Sequence, residues 1–312
     1  MNCDRYGLQL TTFSDGASEL YREGVDRLLS AWCGAGDAFD RSLAEDPDFA
    51  VAHIARARVH QLHMESAQAR TKAALARELA LTATRRERQH VDILAAAVEG
   101  RLSVALTGAE QHLEEFPRDA LVFSLLLGAF GLYAFSGRAD HDAARVAICE
   151  RHARHYGEDW WFLTYLGWSH TEAGNVGAGR TVTERAFALR ARNGNAAHAL
   201  SHAYFEQGDT IAGDAFLSEW LLGHDGESYL QGHLSWHVAL IALENGDVDS
   251  ALKIYKERVR PSEVRYPPMN VFTDSASLLW RLALIDNRAT AADWNEAAEY
   301  GDQFFPRAGA HF

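Results

Sequence analysis

The chain has 312 residues, 47% of them hydrophobic, enough to bury a large core without disulfide staples. Its 30 Lys and Arg against 43 Asp and Glu give a formal charge of -13, so most of the surface repels a phosphate backbone and nucleic acid is not an expected partner. Cys3, Cys33 and Cys149 are too few and too scattered for a disulfide framework or a zinc knuckle, which points to a reducing, cytoplasmic setting.

The first residues, MNCDRYGLQLTTFSDG, lack a basic start followed by an apolar core, so no secretory leader is expected. AFDRSLAEDPDFAVAHIARARV reads as a helix, a turn marked by Pro47, and a second helix. Arg85, Arg86 and Arg88 beside Glu87 read as a solvated helix start. Residues 120 to 137, ALVFSLLLGAFGLYAFSG, carry no charge and approach spanning length. They contain Gly128 and Gly131 and fit a soluble repeat register, so no membrane partner is expected. In RHARHYGEDWW, His152 and His155 are not four apart and are expected at an exposed helix end, while Trp160 and Trp161 are expected to fill gaps between repeats. GNVGAG, 174 to 179, has no preceding strand and the wrong glycine order for a nucleotide loop. RPSEVRYPPMN, 260 to 270, reads as a loop, with Pro267 and Pro268 holding the chain extended.

Internal repetition decides the fold class. Period-two alternation is absent, there are only 6 prolines, and Ala, Leu, Glu and Arg dominate, so the chain is read as all-α. A short glycine turn recurs around Gly100, Gly137, Gly174, Gly208 and Gly246, at intervals of 37, 37, 34 and 38 residues. A helix, a tight turn and a second helix in about 34 residues is the tetratricopeptide unit. With each glycine at position 15, Ala105 and Ala251 fall at position 20, where two helices touch, and Pro117 falls at position 32. The expected fold is a tetratricopeptide-like α-solenoid of about seven helix pairs, with residues 1–312 as one superhelical domain.

In that register His198, His202 and Glu206 take positions 5, 9 and 13 of one first helix, and His233 and His237 take positions 2 and 6 of the next. Steps of four advance only about 40° around the axis, so each set shares a face, the one that lines the concave groove. Trp168 falls on the groove side as well, and Trp236 stands between the second pair of histidines. Three readings of the convergent side chains stay open. They are half-buried packing groups, or ligands of a divalent metal such as zinc (His198, His202, His233 and His237), or a polar pocket for a small ligand or acid/base chemistry.

AHALSHAYFEQGD followed by Trp220, then HLSWHVALIALENGDVDSALKIY, then FTDSASLLWRL, resemble the tetratricopeptide repeat protein 38-like family of bacteria and animals. LTATRRERQHV and EFPRDAL extend the likeness upstream over most of the chain. The resemblance implies the same fold and carries over His198, His202, Glu206, Gly208, Trp220, His233, Trp236, His237, Asp274, Ser277, Trp280 and Arg281 as motif residues. The family is named for its fold, not for a reaction. Its members continue through further helices beyond RAGAHF, which implies that this chain is a truncated version.

Two functions are expected from these readings. One is a cytoplasmic scaffold that binds a peptide, protein or small-molecule ligand in the groove, with His198, His233, Trp236, Trp168 and Arg281 lining it. The other is a hydrolase or lyase of small molecules, with His202 or His237 as general base, Glu206 or Asp274 orienting it, and Arg281 pairing a substrate carboxylate.

Overall fold

A computed structural model describes residues 2–264 and 267–305. Among the described residues sixteen α-helices follow one another, and seven consecutive pairs pack together, as expected. They begin as α1 (Asp15–Leu29) with α2 (Ala35–Glu45), α3 (Ala50–Leu62) with α4 (Ser66–Ala80), and α5 (Arg85–Val98) with α6 (Leu102–Glu115), while the short α7 (Ala120–Ser124) packs on α6 and α8 (His141–His152) on α9. The second half of the array is α9 (Trp160–Glu172) with α10 (Val176–Leu189), α11 (Gly194–Glu206) with α12 (Thr210–Gly223), α13 (Gln231–Glu244) with α14 (Val248–Ile254), and α15 (Pro268–Asp286) with α16 (Ala291–Phe304). There is no strand among the described residues, and no helix there is long and apolar enough to cross a membrane.

The glycine turns do what the spacing predicts. Gly100, Gly137, Gly174, Gly208 and Gly246 all have φ between 70° and 86°, and at all but Gly137 this left-handed conformation closes a helix without the steric penalty a side chain would pay. Ala105 and Ala251 are fully buried at the helix contacts. The closest approach is between α9 and α10: a Cβ on Gly167 would stand 2.8 Å from the Gly179 carbonyl and 2.9 Å from the Thr183 nitrogen.

The first pair does more than stack. Its connecting loop reaches residues far along the chain: Gly194 N donates to Ser30 O at 2.9 Å, Tyr229 N to Ala31 O at 3.0 Å, and Cys33 N to Glu227 O at 2.9 Å. Trp32 meets Trp220 edge to face and joins the core beneath α11 to α13. The segment before α1 runs past the starts of α5 and α9, with Thr11 N donating to Glu87 at 2.7 Å and Arg5 paired to Asp159 at 2.6 Å. Aromatic stacking at the far end of α3 also crosses the array, since His63 lies edge to face with Tyr229 at 5.5 Å. The early hairpins thus face the helices that carry the histidines.

Four expectations are corrected. The stretch from 120 is helical only to Ser124, because Gly128, at φ 82°, turns the chain back and Leu132 N donates to Leu125 O at 2.7 Å. Arg86 and Glu87 are buried, not solvated: Arg86 donates to Asp119 at 3.1 Å, and the same carboxylate accepts from His90 and His112. His152 is buried against Phe123 at 5.4 Å, because the charged end of α8 turns that one ring inward. Pro268 opens α15 instead of preceding it, since the first helical position needs no N–H and suits proline's fixed φ. Trp161, expected to fill a gap between repeats, is fully buried between Tyr6 and Phe123. The RAGAHF terminus lies outside the described residues.

Candidate functional site

Four consecutive first helices build the site. On α9, steps of four, three and four residues put Trp161, Tyr165, Trp168 and Glu172 on one stripe. The α11 helix starts at Asn193, whose side chain caps Ala196 N, and it carries His198 and His202 one turn apart on the adjoining face. The α13 helix adds His233 and His237, and α15 brings up the buried Asp274.

Hydrogen bonding fixes the tautomers of the two outer rings. A carboxylate oxygen only accepts, so His202 Nδ1 carries the proton it donates to Glu172 Oε1 at 3.0 Å. By the same logic His233 Nδ1 donates to Asp274 Oδ2 at 2.8 Å. In its neutral form each ring keeps a lone pair on Nε2, and both Nε2 atoms meet the same atom. His198 Nε2 lies 3.1 Å from His202 Nε2 and 2.9 Å from His233 Nε2. A single N–H on His198 can serve only one of these acceptors well. Three nitrogens therefore converge with one proton among them.

The fourth ring closes the set. The ring centroid of His237 is 5.2 Å from that of His198, 4.9 Å from that of His202 and 4.8 Å from that of His233, and its buried Nε2 has no hydrogen-bond partner among the described residues. Donor atoms of His198, His202 and His237 all lie within 4.8 Å of one another. Trp168 stacks on His198 at 4.9 Å and Trp236 on His233 at 5.4 Å, so indole faces hold two of the rings in place. Burial pushes His198 well below the ordinary imidazole range, and the neighbouring His202, His233 and His237 add to it. Burial does the same to His237, helped by His233 and His202. His198 and His237 therefore resist protonation and keep their lone pairs, which suits binding of a cation more than storage of protons.

Tetrahedral zinc with Zn–N bonds of about 2.05 Å places its nitrogens about 3.3 Å apart. The two observed Nε2 separations lie only slightly inside that distance. The Nδ1-to-carboxylate pairs on His202 and His233 are the arrangement that fixes ring orientation in metal-bound histidine. The residues therefore fit a divalent ion.

Of the residues singled out from sequence, His198, His202, His233, His237, Asp274, Trp168 and Trp236 come together. Glu206 does not: it is exposed at the end of α11, and the carboxylate on His202 is Glu172, one hairpin earlier. Arg281 is exposed, donating to Ser277 with its guanidinium 6.0 Å from the Trp236 ring, so it borders the site without touching the histidines. Sequence reasoning missed Glu172, although it stands two residues before Gly174 just as Glu206 stands two before Gly208.

No protein-family model matches this chain. Among solved structures, one similar chain belongs to the APC/C hetero-tetramer Cut9-Hcn1, with a TM-score of 0.62 and 11% identity over 91% of this chain and 55% of that one. The chain thus spans about half the length of that relative. A second is the human IFIT1 dimer with PPP-AAAA, with a TM-score of 0.60 and 13% identity over 92% of this chain and 72% of that one. The fold is a tetratricopeptide-like α-solenoid. At these identities the likeness speaks to architecture, and function is argued from the side chains.

Proposed function

We propose that this chain is a tetratricopeptide-like binding scaffold whose groove centre takes a divalent metal ion, zinc by its donor chemistry, and binds a peptide or small-molecule ligand there. His198, His202 and His237 would hold the ion, with His233 as a fourth donor. The observation that carries this reading is the meeting of three imidazole nitrogens at His198 Nε2 while both outer rings are committed to carboxylates. A cation accepts all the lone pairs at once and removes the shortage of protons. The motif resemblance to the tetratricopeptide repeat protein 38-like family is part of the same proposal, because its motif residues include all four histidines. The free thiols Cys3, Cys33 and Cys149 fit a reducing compartment such as the cytoplasm.

A second reading, a small-molecule hydrolase or lyase, draws on the same two histidine–carboxylate pairs. With one coordination position open, a bound ion supplies Lewis-acid polarisation and an acidified water. The pairs Glu172–His202 and Asp274–His233 would keep both rings in the required tautomer.

Metal content by mass spectrometry, after purification without chelators, tests the proposal. The expected result is about one zinc or other first-row divalent ion per chain, or stoichiometric uptake on reconstitution, lost in the His198→Ala/His233→Ala double variant. Less than stoichiometric metal together with no uptake of Zn2+ or Co2+ overturns it.

A further inference from the structure

Arg58 on α3 stands six residues before Met64, which has φ 60°. Trp168 and His202 stand six before Gly174 and Gly208, so Arg58 occupies the groove-facing register position they share. Its neighbour Tyr165 belongs to the helix that carries Trp168, which stacks on His198. The α3 helix ends at His63 against Tyr229, four residues before His233, while Arg58 itself lies within electrostatic reach of Tyr165, one turn along α9 from Trp168.

Arg58 is half-buried, and among the described residues it has no carboxylate partner; the one hydrogen bond it makes is to Gln61 Oε1. A cation withdrawn from water without a counter-ion is costly, and burial lowers the Arg58 pKa to about 10, only partly offset by Tyr165. The rest of the groove wall here is short of acceptors as well. The half-buried Tyr165 hydroxyl has no hydrogen bond among the described residues, and burial raises it to about 12 against the opposing pull of Arg58. The Trp168 indole N–H is buried and has no partner among the described residues. A guanidinium, a phenol and an indole thus present donors along one wall.

We infer that the ligand taken at the histidine centre carries a carboxylate, which Arg58 anchors with help from Tyr165 while the rest of the ligand reaches toward His198. This rests on the groove-centre reading of the histidines. Arg58 is the specificity residue: its planar fork matches a carboxylate, and the match is paired with a charge that has no other use.

The test uses a series of alkyl hydroxamates of increasing chain length, each ending in a carboxylate or in its methyl ester. Each is titrated by calorimetry into the full chain, loaded with Co2+ and, in parallel, stripped by chelator. In both forms the best carboxylate probe should bind the wild type roughly tenfold tighter than its ester, the size expected of one charge-assisted pair. Arg58→Gln should erase that preference, and Tyr165→Phe should reduce it, with the circular dichroism melts unchanged. If Arg58→Gln does not fold, Arg58→Lys and Tyr165→Phe carry the test, each expected to narrow the margin. No preference at any chain length, or a preference kept in these variants, overturns the inference. Absence of a Co2+ absorption band with the preference retained overturns only the metal reading.

Discussion

His198 Nε2 lies 2.9 Å from His233 Nε2, a contact between helices of two successive hairpins and 35 residues apart in sequence. Neither ring is there for bulk: each is stacked on an indole, and His233 is turned by Asp274 so that its lone pair meets His198.

The carboxylates behind the rings should tune affinity without binding the ion. Asp274→Asn and Glu172→Gln are each expected to weaken zinc about 10- to 100-fold, the usual effect of removing the group that orients a ligating histidine. Glu206→Gln should leave it unchanged. Competition against a chromophoric chelator measures all three, and an effect of Glu206→Gln equal to that of Glu172→Gln would contradict the pairing.

Asp119 carries the second polar cluster and should be structural. Burial alone would raise its pKa, but the charge of His90 and the hydrogen bonds from His112 and His90, with Arg86 alongside, hold it well below the ordinary carboxylate range. Its contribution is therefore present above pH of about 4 and is lost as pH falls through the depressed folded value. Asp119→Asn leaves the buried Arg86 without its counter-charge and should cost roughly 3–5 kcal/mol in urea unfolding at pH 7. A cost under about 1 kcal/mol would refute that role.

Asp4 has the opposite sign. Burial, reinforced by the charge of Asp119, raises its pKa to about 6. A raised folded value gives stability that is full below the unfolded pKa and disappears as pH rises through about 6. The ionised group is thus a liability at neutral pH. Asn at this position still accepts from Tyr6 N and Leu8 N, both at 2.8 Å to one oxygen, so Asp4→Asn should stabilise by roughly 2 kcal/mol at pH 7.5. The gain should fade below pH of about 4. Equal gains at both pH values would rule out the titration account.

Two glycines ten residues apart, Gly167 and Gly177, should behave in opposite ways. At Gly167 an added methyl meets α10 backbone and Thr183, so Gly167→Ala should cost about 1–3 kcal/mol. Gly177, helical with open space around it, gains helix propensity from alanine, about 0.5–1 kcal/mol. Thermal melts of the two variants decide the matter.

Much of this architecture is legible in the chain because it follows from local chemistry. Left-handed glycines and small contact residues set the hairpins, and the register alone brings His198 and His202 toward His233 and His237. What escaped depends on geometry between hairpins. Glu172 and Glu206 hold the same register position, and only the stagger of α9 against α11 decides which of them reaches His202. Arg86 reads as a surface charge until Asp119 and the segment before α1 cover it. The break after Ser124 likewise needs the backbone of Gly128 to be seen.

The most direct test of the central claim is the absorption spectrum of the protein titrated with Co2+. The account predicts saturation at one equivalent with an intense visible band of tetrahedral or five-coordinate cobalt on nitrogen donors, abolished in His198→Ala. A weak, octahedral spectrum indifferent to His198→Ala would contradict it.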